Sequence, residues 1–106
     1  MDRGDAEQTV DHELAELPAD MRARLVRISE LIESPGLPNV KEPHVRHIRG
    51  HLWEIRLRGK AAILRALYVT SKEQRVVIVR AFSKKTEKTP TGEIILALQR
   101  AKEVKP

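Results

Sequence analysis

The sequence predicts an α+β fold: an N-terminal helical hairpin, an antiparallel meander of three strands and a closing C-terminal helix. Three observations carry this prediction. Apolar residues recur at helical spacing through residues 11–33, the period changes from 3.6 to 2 after residue 51, and Thr89-Pro90 opens a last helical segment.

Each element has its own warrant. Residues 1–10 carry only Val10 as a β-former, so an opening strand there would be short and marginal, and the stretch is expected to be weakly ordered. Leu14 and Leu17 lie three apart in a helix over 11–17, which Pro18 interrupts. Met21, Leu25, Ile28, Leu31 and Ile32 form one apolar face of a helix over 19–33, and Ser34-Pro35-Gly36 stops it. Residues 35–51, with three of the six prolines, read as a long connection. In LWEIRLR, Trp53, Ile55 and Leu57 alternate with Glu54, Arg56 and Arg58, which predicts a strand over 53–58 with one buried face and Trp53 in the core. Gly59-Lys60 turns the chain into a strand over 62–70. Ser71 to Gln74 turns it again into a strand over 75–82, the most apolar and the expected centre of the sheet. Thr89 as N-cap and Pro90 at the first helical position open a helix over 90–103, with Ile94, Ala97, Leu98 and Ala101 on its buried side.

Composition narrows the class. A length of 106 residues fits a single domain over 1–106, and 33% charged with 41% hydrophobic residues is a globular composition. No apolar run is long enough to span a membrane, and the acidic start MDRGDAEQTVDHEL has no apolar core of a secretory signal. A cytoplasmic protein without membrane contact is the expectation. The absence of cysteine excludes disulfides, thiolate metal sites and a thiol nucleophile. Charge is distributed unevenly: residues 1–20 carry a net −6, residues 21–40 a net +1 and residues 41–106 a net +10. Such a basic C-terminal two-thirds suits a polyanion, although Lys and Arg also simply solubilise small domains.

The placement of the arginines is the informative feature. Arg65 shares a strand face with Ile63, Leu67 and Val69, and Arg80 one with Val76, Ile78 and Phe82. A guanidinium stays charged and is rarely buried without an anion. Two readings follow: internal carboxylate partners, for which Glu54 and Glu93 are available, or an anion-binding concavity widened by Arg56 and Arg58. SKKTEKTP adds Lys84, Lys85 and Lys88 with the hydroxyls of Thr86 and Thr89 before a helix N-terminus, a composition suited to phosphate oxygens. His44, His47 and His51 cluster in the long connection; without cysteine and with few nearby carboxylates they argue against a metal site. His44 and His47 are instead candidates for proton transfer beside a basic groove.

LWEIRLRGK, the strand pair Arg65 and Tyr68, RVVIVRAFSKKTEKTP and EIILALQRAKE, in this order, resemble the phage-derived HigB-like branch of the RelE/ParE toxin superfamily. PADMRARL and EPHVRHI match its helix and pre-strand connection, so the resemblance runs from Asp11 to Val104. It implies helices packed on a twisted antiparallel sheet, preceded by a first strand that this N-terminus does not favour. It implies the toxin of a type II toxin–antitoxin pair, a ribosome-dependent mRNA endonuclease that works without metal or other cofactor. In that chemistry the 2′-OH attacks the adjacent phosphate and leaves 2′,3′-cyclic phosphate and 5′-OH ends. Arg65 matches the strand arginine of RelE-like sites, Arg80 stands where relatives have Arg or His, and Lys84 and Lys85 match the branch's KKT motif. The implied catalytic set is therefore Arg65, Arg80, Lys84 and Lys85, with Arg56, Arg58, Thr86 and Lys88 contacting RNA. The implied partners are a HigA-like helix-turn-helix antitoxin and mRNA on the ribosome. A ParE-like gyrase inhibitor and a non-catalytic basic binding module are the alternatives on the same fold.

Overall fold

A computed structural model of the protein describes residues 4–33, 45–71 and 74–104. Two helices, α1 (Gly4–Ala15) and α2 (Ala19–Glu33), form the expected hairpin about Pro18, whose carbonyl accepts the Arg22 N–H at 3.0 Å. Four antiparallel strands follow in spatial order: β1 (Val45–Arg49), β2 (Leu52–Arg58), β3 (Ile63–Thr70) and β4 (Val76–Lys84). The helix α3 (Thr91–Ala101) closes the chain. None of the described helices is long and apolar enough to cross a membrane.

The sheet carries a separate core on each face. On one, Leu17, Met21 and Leu25 pack over Ile55, Leu57, Leu64, Ala66 and Tyr68. On the other, Ala97, Ile94 and Leu98 of α3 cover Leu52, Leu67, Val69, Val79 and Phe82. Covering both faces explains why β2 is buried on both rather than on one: Leu52, Glu54, Ile55 and Leu57 all have no exposed surface. Leu31, expected on the buried face of α2, is instead 41% exposed. Trp53 is likewise not a core residue. It is 38% exposed and meets the His47 ring edge-on at 5.0 Å.

Five further expectations are corrected. The N-terminus forms helix from Gly4 rather than a marginal strand, because Ala, Glu and Gln outweigh the lone β-former Val10, which the helix buries. The long connection contains β1, a five-residue strand paired to β2 across a turn at Gly50, where φ is +57°. Its signal is weak because, apart from Val45, its residues are exposed or half-exposed and three are Arg or His.

β4 lies at an edge of the sheet, not its centre. β2 and β3 are the interior strands, and β3 is buried along seven of its eight residues. The apolar run in β4 reflects packing against both α1 and α3, not two strand neighbours. Its outer edge is sealed by side chains: the Ala81 N–H donates to Glu13 at 3.0 Å, the Val76 N–H to Glu33 at 2.7 Å, and Arg100 donates to the Val79 carbonyl at 2.8 Å. A bulge opposite Leu67–Tyr68 leaves Val79 without a partner in register. Arg80 therefore lies with Phe82, its guanidinium 5.2 Å from the ring, and is separated from the face of Val76 and Ile78. Finally, α3 is capped by Pro90, with no side-chain cap, because the Thr89 hydroxyl is used elsewhere.

Candidate functional site

Strand alternation sets Leu52, Glu54, Arg56 and Arg58 of β2 on the α3 side of the sheet, together with Arg65, Leu67 and Val69 of β3. The apolar members lie under α3. The charged members lie beyond it, and the segment between β4 and α3 folds over them. Arg56 and Arg65 stand directly opposite each other in register, a like-charge pair that needs anions nearby.

Glu54 supplies the buried anion. Its Oε1 accepts from Arg56 Nε at 3.1 Å, and its Oε2 accepts from the Thr89 hydroxyl and lies 3.8 Å from Arg65 Nε. Arg65 has no exposed surface. Its Nη atoms donate to the carbonyls of Lys84, at 3.5 Å, and Thr86, and Nε has no hydrogen-bond partner. Burial, with the Arg56 charge second, holds its pKa below the ordinary guanidinium value. This arginine thus fastens the 84–86 backbone to the sheet, and Thr89 fastens the other end of the segment to Glu54.

Between these anchors stands Glu87. Both of its oxygens accept from the Arg58 Nη atoms, at 2.9 and 2.8 Å, and Oε1 lies 3.8 Å from Arg56. The hydrogen bonds from Arg58 are the main reason its carboxyl titrates below the ordinary range, and the same contact raises Arg58. Around this pair Lys84, Lys85 and Lys88 are exposed, as is Thr86.

Arg80 belongs to a second cluster, at the β4 edge. It donates to Glu93 through Nε at 2.6 Å and Nη2 at 3.1 Å, and its Nη1 lies 2.7 Å from Glu13, which Arg100 also engages at 3.0 Å. The bonds to Glu93 raise Arg80 and lower Glu93. Arg80 also lines a groove of about 680 Å³ between the α1–α2 turn, the β2–β3 turn and β4. Glu13, Glu16 and Asp20 line it too, so this cavity is not the basic surface.

The structure brings together Arg56, Arg58, Arg65 and the segment bearing Lys84, Lys85, Thr86 and Lys88. It places Arg80 in the other cluster. His47 lies on β1, its Nε2 2.7 Å from the Gly50 carbonyl and its ring against Trp53, outside the cluster of Arg56, Arg58 and Arg65. His44 lies outside the described residues. Among the described residues no three His, Asp or Glu side chains converge as metal ligands. Glu87 and Thr89 are structurally central yet stand out weakly in sequence: Glu87 is one acid in a lysine-rich run, and Thr89 reads as a helix cap. Glu13 has no local signal, because its partners are 68 and 87 residues away.

No curated protein matches the chain. The family model that describes the phage-derived Gp49-like protein (DUF891) matches residues 12–102, which takes in α2, the whole sheet and α3 and so every residue of both charged clusters. By that match the chain belongs to the phage-derived Gp49-like family, a RelE-like family associated with the toxins of toxin–antitoxin pairs.

Proposed function

We propose that the protein is the toxin of a type II pair and cuts mRNA on the ribosome, as its HigB-like motifs imply. The observation that carries this reading is the convergence of Arg56 and Arg58 of β2 with the 83–88 segment on one end of one sheet face. In the proposed reaction the ribose 2′ oxygen loses its proton and bonds to the adjacent phosphorus. The P–O5′ bond breaks, and O5′ takes up a proton, leaving a cyclic phosphate and a 5′-OH end. The phosphorane-like transition state carries more negative charge than the diester, so fixed cations stabilise it more than the bound substrate.

Arg58, Lys84 and Lys85, with Arg56 behind them, are the groups assigned to that charge, while Lys88 and Thr86 contact flanking RNA. Arg65 acts as a positioning residue that holds the 84–86 backbone, and Arg80 supports the β4 edge. A HigA-like antitoxin and the ribosome are the proposed partners. The internal engagement of Arg65 and Arg80 by protein oxygens favours one other reading, a basic binding module without catalysis.

Brief induction of the gene followed by primer extension on cellular mRNAs tests both. Discrete new 5′-OH ends within coding regions, with rapid translational arrest, are expected. Intact mRNAs after induction of folded protein would leave the binding module.

A further inference from the structure

Glu87 occupies the position at which Arg58 and Arg56 would meet an external anion. Its two oxygens accept the forked pair of Arg58 hydrogen bonds that a phosphate's two non-bridging oxygens would otherwise take. The pair is solvent-exposed, with Arg58 64% and Glu87 66% accessible, so the contact is weak and easily exchanged. The backbone on either side is tied down independently, by Arg65 to the Thr86 carbonyl and by Thr89 to Glu54. A rotation of the Glu87 side chain therefore vacates Arg58 without moving the segment.

We propose that Glu87 is a built-in, displaceable carboxylate that occupies a phosphodiester site on Arg58 and Arg56. The identity of the anion as RNA rests on the function proposed above. A lone phosphate contacts only the arginines and competes with Glu87 on nearly equal terms. A single-stranded RNA reaches Lys84, Lys85 and Lys88 at the same time, so its added contacts displace the carboxylate. Glu87 thus makes the site selective for polyanions over small anions.

The test is a binding measurement with a 2′-deoxy-substituted RNA oligonucleotide, which cannot be cut, by fluorescence anisotropy at several salt concentrations. Glu87→Gln is expected to bind about 3- to 10-fold more tightly, because a weak competing ion pair is removed. Its affinity should also fall more steeply with salt, by about 0.7 in the log–log slope. Inorganic phosphate, read by NMR shifts of the arginine side chains, should gain relatively more than the oligonucleotide. In an Arg58→Ala background Glu87→Gln should gain much less, through Arg56 alone. Glu87→Ala serves as the second variant, and both should fold normally at so exposed a position. Equal or weaker binding by Glu87→Gln, or the same gain with Arg58 absent, overturns the inference. Neither result depends on cleavage: tighter binding without mRNA cutting removes the nuclease reading alone, and cutting with a neutral Glu87→Gln removes this inference alone.

Discussion

Arg65 and Glu54 set the terms at the scale of single residues. A guanidinium with no exposed surface is held by the Lys84 and Thr86 carbonyls, and its charge is met by one carboxylate, 3.8 Å from Nε, that also serves Arg56 and Thr89. Glu54→Ala strands two arginines and a hydroxyl together, and losing one partner of a buried pair costs about 3–5 kcal/mol. Urea denaturation should therefore show a midpoint well below that of the parent, or no cooperative transition. A variant as stable as the parent would mean that solvent replaces Glu54 without penalty. From the sequence, the interruption of apolar faces by Arg65 and Arg80 was legible, and so were Glu54 and Glu93 as candidate partners. What sequence could not decide is which donors face the protein and which face solvent, since that depends on where the 83–88 backbone lands. Arg58, read as a secondary contact, is the exposed guanidinium, and Arg65 is the enclosed one.

The sheet edge is the instructive feature among the elements. Helices 19–33 and 91–101 and the three strands after residue 51 were legible because each spans several periods of its pattern. β1 was not, since a five-residue strand with one buried side chain has no period to read. The meander order of β2, β3 and β4 was legible, but the edge position of β4 was not: an apolar strand between two helical layers has the composition of a central strand. β4 is kept from pairing with a second molecule by Glu13, Glu33 and Arg100, which occupy its outward backbone groups. Glu13→Ala leaves the Ala81 N–H and one side of both Arg80 and Arg100 without an acceptor. The expected cost is about 2–3 kcal/mol, with concentration-dependent association in sedimentation velocity. A variant that matches the parent in both association and stability would show that the cap is dispensable.

For the molecule as a whole, the ion pairs that organise both charged clusters make stability depend on pH in a definite direction. Arg80 holds Glu93 below its ordinary range, and Arg58 does the same to Glu87. A carboxyl depressed in the folded state binds fewer protons there than in the unfolded chain, so its contribution is complete above the unfolded value, about 4.3. It is lost as pH falls through the lower folded value. Urea midpoints should thus be level near neutrality and decline below about pH 5. Glu93→Gln should be less stable at neutral pH and decline less on acidification; a parallel decline would exclude Glu93 as a source. The only tryptophan and the only tyrosine of the chain, Trp53 and Tyr68, are partners across β2 and β3, five positions up the strand from Arg58. At the rise of an extended strand that is roughly 17 Å. Ultraviolet absorbance and intrinsic emission therefore report on the end of β2 remote from Arg58: a ligand at Arg58 should be spectroscopically silent, whereas opening of the β1–β2 hairpin should register at once.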